Sequence, residues 1–149
     1  MSAKSSLKDD REVLKLLHNV PIFFNLDNDA LKNIIAISTQ ATFAPNKAII
    51  QEGGYGDSLH LILTGQVEVR KAGKSIANLG IGQFFGEMAF LDDLSKKRSA
   101  DVIAIEETSC LVIPAWSWYN FLRKNPDVAI EVIRSLAHRL RDTSSNLAD

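Results

Sequence analysis

Apolar residues keep a helical period at both ends of the chain and fall into short runs in between. Near the start, Val13, Leu14 and Leu17 share one helical face, with Asp9 or Asp10 ahead of them as an N-cap and Pro21 stopping the run. Asp27 caps a second segment, whose apolar face is Leu31, Ile34 and Ile35, up to about Ile37. The runs that follow read as strands: Thr42-Phe43, Ala48–Ile50, Leu59–Leu63, Gln66–Arg70, Ser75–Leu79, Ser99–Glu106 and Ser109–Ile113. Between them lie Pro45-Asn46, Gly53–Asp57, Thr64-Gly65, Ala72–Lys74, Gly80–Gly82 and Glu106–Thr108, all rich in turn residues. Strands at this spacing predict a barrel or jelly roll.

Past Pro114 the helical period returns. Trp116 to Lys124 forms one helix, broken at Asn125-Pro126 because proline disfavours helix in the residue before it. Trp116 and Trp118 are two positions apart and cannot face the same way. In the last helix Ala129, Val132, Ile133, Leu136, Leu140, Thr143 and Leu147 recur at steps of one, three and four, read as one apolar seam.

With 149 residues, 46% of them hydrophobic, the chain is expected to be a single domain, residues 1–149, with a core that needs neither disulfide nor metal. Residues 1–8 are polar and expected to fray, 9–37 form the N-terminal helices, 40–113 the β region and 115–147 the C-terminal helices. Seventeen Lys and Arg against 18 Asp and Glu give a net charge of −1, so no general attraction to nucleic acid or to an anionic membrane is expected. No run reaches membrane-spanning length, which predicts a soluble, cytoplasmic protein. The lone Cys110 reads as a buried thiol, and His18, His60 and His138 lack the spacing of a metal site, so no metal or cofactor is expected.

The candidate chemistry lies in residues 82–102. Gly86 permits a sharp turn, and Glu87-Met88-Ala89-Phe90-Leu91 can form a helical turn or two behind it. A helix beginning at a glycine aims unpaired N–H groups at one spot, which is the geometry that binds phosphate. Arg98 can supply a planar fork for two phosphate oxygens, whereas an ionised Glu87 only accepts hydrogen bonds and suits a sugar hydroxyl. Phosphate plus ribose means a nucleotide.

Phe85-Gly86-Glu87-Met88-Ala89-Phe90, followed by Arg98-Ser99-Ala100, resembles the phosphate-binding cassette of cyclic nucleotide-binding domains. Pro21-Ile22-Phe23, Glu52-Gly53, Gly56-Asp57-Ser58-Leu59 and Gly65 with Val67 and Val69 resemble that family's sheet signature, Asn125-Pro126 and Arg139-Leu140 fall where its closing helices lie, and Trp118 matches one of its core positions, which implies an exposed Trp116. The resemblance implies a mainly β fold with flanking helices: a β-roll, a jelly-roll-like double-stranded β-helix, between N-terminal helices and C-terminal lid helices. It also implies a ligand site made of Phe85, Gly86, Glu87, Met88, Ala89, Arg98, Ser99 and Ala100, with Glu87 on the ribose and Arg98 and Ser99 on the cyclic phosphate. In the catabolite-activator branch, a Thr-Ser pair placed as Thr143 and Ser144 are here meets the adenine amine, which implies cAMP, with cGMP as the alternative.

The expected function is that of a stand-alone cAMP sensor, not an enzyme, which signals to an unknown protein effector by movement of its C-terminal helix. The alternatives are a sensor of cGMP or another cyclic nucleotide, and a ligand-free interaction module of the same fold. A small-barrel enzyme would need inward metal ligands, and a transcription factor would need a helix-turn-helix after the lid helix. No DNA or membrane partner is expected, and any homodimer through the C-terminal helix should be modest in affinity.

Overall fold

The computed structural model of the chain describes residues 7–86 and 97–148, with the side chains from Thr143 onward outside that description. Two N-terminal helices, α1 (Asp10–His18) and α2 (Asn28–Ala36), flank a 3-10 turn at Pro21–Phe23. Strands β1 (Thr39–Phe43), β2 (Ala48–Ile50), β3 (Ser58–Thr64), β4 (Val67–Lys71), β5 (Lys74–Leu79), β6 (Phe84–Phe85), β7 (Asp101–Ala104) and β8 (Thr108–Pro114) follow, then α3 (Ala115–Lys124) and α4 (Pro126–Ala148). The helix expected behind Gly86, with its ligand residues Glu87, Met88 and Ala89, lies outside the described residues.

Local chemistry accounts for the helix starts. The Asp9 carboxylate accepts from the Glu12 N–H at 2.9 Å, and Asp27 does the same for Ala30 at 2.9 Å. Lys8, expected to fray, is tied down instead: its N–H donates to Gln40 Oε1 at 3.0 Å and its carbonyl accepts from Gln40 Nε2 at 2.6 Å, while residues 1–6 lie outside the described residues.

The strands form two antiparallel four-stranded sheets, ordered β1-β8-β3-β6 and β2-β7-β4-β5. β3 shows how this β-roll divides its apolar residues. Leu59, Leu61 and Leu63 face a core shared with Val13, Leu17, Phe23, Leu31 and Trp118. Ile62 points the other way, into the roll, with Ile50, Val67, Phe85, Val102 and Cys110. Cys110 is buried, and desolvation pushes its thiol up to about 12, so the thiolate is not accessible near neutrality.

Three sequence expectations change. β6 is absent from the pattern of the sequence, because two residues are too short a run to show a period; it pairs with β3 through His60 opposite Phe85 and Leu61 opposite Phe84. The strand expected from Ser99 begins at Asp101 instead. Arg98 spends its backbone on the glycine turn, its N–H donating to the Gly54 carbonyl at 2.7 Å and its carbonyl accepting from Gly53 at 2.9 Å, so residues 98–100 do not enter the ladder. The third change is in α4, whose apolar stripe is buried along one margin only. Val132 is 5% exposed and Leu136 packs against the main core, while Ile133 and Leu140 stand 64% and 68% exposed. Successive residues turn by about 100°, so Val132, Leu136, Leu140, Ile133 and Ile130 follow one another round the helix, and burial falls off away from the Val132 margin.

As expected, Trp118 is buried, stacked on Phe121 and edge-on to Phe23, whereas Trp116 is exposed. Between α3 and α4 only Asn125 is non-helical, and its side chain closes α3 by donating to the Phe121 carbonyl at 3.0 Å.

Candidate functional site

The site is built around Arg98. With its backbone pinned to Gly53 and Gly54, the side chain extends between two further glycines. A Cβ on Gly56 would come within 3.0 Å of Arg98 Nη2, and one on Gly86 within 3.0 Å of Nη1 and 2.7 Å of the Ser58 carbonyl. Gly86 also has φ +87°, which L residues rarely adopt. Glycine at both positions therefore makes room for the guanidinium. Nη1 donates to the Gly86 carbonyl and Nη2 to the Ser58 carbonyl, each at 3.1 Å, and these bonds orient the plane of a half-buried cation.

Two strands supply the walls. Phe85 is buried inside the roll, and its ring stacks on His60 at 4.8 Å and 10°. His60 is held at about 4, first by burial and then by the Arg98 charge, against a smaller pull from the Ser58 carbonyl, so the ring is neutral at pH 7. Phe84 turns to the opposite face, into the helical core. β6 lies at the edge of its sheet, where carbonyls lack strand partners. Arg139 of α4 caps one of them, donating from Nη2 to the Phe84 carbonyl at 2.7 Å with its guanidinium 5.1 Å from the Phe84 ring centre.

Of the expected ligand residues, Phe85, Gly86 and Arg98 come together here. Ser99 is exposed and Ala100 half-buried on the irregular stretch after Arg98. The Asp101 carboxylate, accepting from the Glu52 N–H at 2.7 Å, anchors the end of that stretch. Thr143 and Ser144 continue the helix of α4, with their side chains outside the described residues, as is all of Glu87, Met88 and Ala89. Sequence reading missed Gly56, Ser58, His60 and Arg139 as parts of the site. Gly56, Ser58 and Arg139 stood only among the residues of the family resemblance, and His60 left a trace as a polar residue within an apolar strand, between Ser58 and Ile62. The structure also has a cleft lined by Phe24, Leu26, Asp27, Asn125, Asp127 and Glu131, but it shares no lining residue with this site.

Residues 40–125, from β1 to the end of α3, match the family model described as Cyclic nucleotide-binding domain. The chain belongs to the cyclic nucleotide-binding domain family. It is 35% identical over 113 residues to Glutaminase 2 of Bradyrhizobium diazoefficiens, covering 75% of this chain and 18% of that enzyme. It is 29% identical over 132 residues to the Cyclic AMP receptor protein of Thermus thermophilus, covering 85% and 60%. A solved cyclic nucleotide-binding domain from Methylobacillus flagellatus superposes with a TM-score of 0.76 at 27% identity, over 93% of this chain and 82% of that one. The fold of this cyclic nucleotide-binding domain is thus the family's β-roll. The chain spans 18% and 60% of these two curated relatives, one named as an enzyme and the other as a receptor. Among the described residues no helix is long and apolar enough to cross a membrane, and no three His, Cys, Asp or Glu are grouped to hold a metal ion.

Proposed function

We propose that this domain senses cAMP, holding the cyclic phosphate with Arg98, Ser99 and the backbone of Gly86, Met88 and Ala89, and the ribose with Glu87. The observation that carries this reading is the Arg98 guanidinium, aligned by two carbonyls between two glycines at the start of the cassette. A cation held in plane there presents a fork that matches two phosphate oxygens. The name of the Thermus relative, a cyclic AMP receptor, supports cAMP as the ligand. Calorimetry with cAMP, cGMP and a cyclic dinucleotide tests the reading, and no binding of any of them would remove it.

The adenine would meet Thr143 and Ser144 on α4. A hydroxyl can both donate and accept, so one or two such bonds worth about 1 kcal/mol each should favour cAMP over cGMP by roughly one decade. Thr143→Val should erase much of that preference in competition titrations, and a wild type that prefers cGMP would reverse the assignment of the base.

Arg139 gives α4 a direct hold on the strand that leads into the cassette, and supports signalling by movement of that helix toward an effector. Arg139→Ala should weaken binding only by about 1 kcal/mol. It should also abolish the ligand-induced change in amide exchange across residues 126–148, and a helix that responds as in wild type would exclude this coupling.

A homodimer would use the outer face of α4, where Ile130, Ile133 and Leu140 are exposed at spacings of three and seven. Its 23 residues span only about 35 Å, so affinity should be modest, and Ile133→Glu with Leu140→Glu should leave monomers by light scattering. A wild type that is already monomeric at high concentration would dismiss the dimer.

A further inference from the structure

His60 occupies the wall of the roll interior beside Arg98. It is 7% exposed, stacked on Phe85 at 4.8 Å, with the Phe43 ring 6.4 Å away. Among the described residues its Nδ1 meets no hydrogen-bond partner, although buried polar atoms are rarely left without one. Two residues earlier on the same face of β3 is Ser58, whose carbonyl takes Arg98 Nη2. Directly after its stacking partner Phe85 is Gly86, whose carbonyl takes Nη1. Imidazole and guanidinium therefore adjoin the same two stretches of backbone.

Among the described residues the other groups around the ring do not compete with it for a proton. β6 and β1 contribute the rings of Phe85 and Phe43, and β8 sets Val112 opposite His60 and Cys110 opposite Ile62, with the Cys110 thiol kept neutral by burial. Among the described residues Arg98 is the charged group that acts on the ring.

We propose that His60 is a second polar group of the phosphate pocket, and that seating a cyclic phosphate beside Arg98 brings a proton from solvent onto its imidazole. The inference rests on the reading of Arg98 as the phosphate site. In the empty pocket burial and the Arg98 charge both oppose the proton. A bound anion cancels the second and adds an attraction of its own, while a protonated ring offers donors on both nitrogens. The bound form then holds more proton than the free form, so affinity must rise as pH falls. A nearby anion commonly moves a titrating group by one to three pH units, and the middle of that range predicts about fourfold tighter binding at pH 5.5 than at pH 7.5.

Titration calorimetry of the wild type with cAMP, in pairs of buffers of unlike ionisation heat between pH 5.5 and 7.5, reads this directly. The cyclic phosphodiester stays ionised throughout that window. Proton uptake that grows as pH falls is expected, and His60→Phe should still bind, with neither uptake nor pH-dependent affinity. Wild-type binding without uptake, or equal uptake in His60→Phe, would overturn the proposal and leave the phosphate site standing. Absence of binding at every pH would instead remove the phosphate reading itself, and this proposal with it. Should His60→Phe not fold, the wild-type imidazole nitrogen shifts decide: the midpoint for His60 should move up with cAMP, and an unmoved midpoint overturns the proposal.

Discussion

Arg98→Ala should weaken cAMP binding by about 3–5 kcal/mol, or two or more decades in Kd, because it leaves a desolvated phosphate without its cation. The cost to the empty protein should be smaller. The side chain is half-buried, and what folding loses is its two bonds to the Gly86 and Ser58 carbonyls, worth about 1–2 kcal/mol together after solvent replaces them. Arg98→Lys keeps the charge but not the planar fork, and should fall between wild type and alanine. Calorimetry on the three proteins, with urea melts of each, separates the two effects. Unchanged affinity in Arg98→Ala would end the assignment of the cassette, and a stability loss as large as the binding loss would make Arg98 chiefly a structural residue.

Gly65→Ala should be the most damaging single methyl in the β-roll. Gly65 turns the chain from β3 into β4 at φ +101°, and a Cβ there would lie 2.5 Å from the Glu107 carbonyl oxygen, 2.5 Å from Thr108 Oγ1 and 2.7 Å from Thr108 Cα. Two of these three obstacles are backbone. Thr108 is fully buried, and its one hydroxyl proton is shared between the Gln66 and Glu106 carbonyls at 3.1 and 2.8 Å, so it cannot swing aside. Positive-φ strain and overpacking together should cost about 3 kcal/mol or more. Gly73 provides the control, since at φ +78° a Cβ there would meet nothing within 4 Å, and Gly73→Ala should cost only the strain, about 1–2 kcal/mol. Equal urea midpoints for the two variants would show that the β3–β4 turn can relax around a side chain.

These two predictions fall on opposite sides of what could be read before folding. Arg98 and Gly86 were legible because the chemistry of phosphate binding calls for a fork-shaped cation and a backbone free of Cβ, and both are properties of residue types. Helix starts were legible for a similar reason, since Asp9 and Asp27 satisfy N–H groups only three residues ahead. The β-roll followed from period-two runs between turn residues, together with the cassette's resemblance to its family. None of these inferences requires knowing what lies across space. The crowding at Gly65 does, because Glu107 and Thr108 are far along the chain and meet it only once β3 and β8 have paired. The same holds for β6, whose two residues become a strand only because β3 offers them an edge. It holds for α4, whose apolar residues share one broad stripe by helical period, and only the core already formed by α1, α2 and β3 selects the Val132 and Leu136 margin of that stripe for burial. Arg139 and His60 are the furthest from legible. Each owes its place to a strand 55 or 25 residues away in the chain, Arg139 to the Phe84 carbonyl and His60 to the Phe85 ring. Contacts at such separations are set by how the sheets close, through burial that rewards many residues at once, and not by the preference of any one of them.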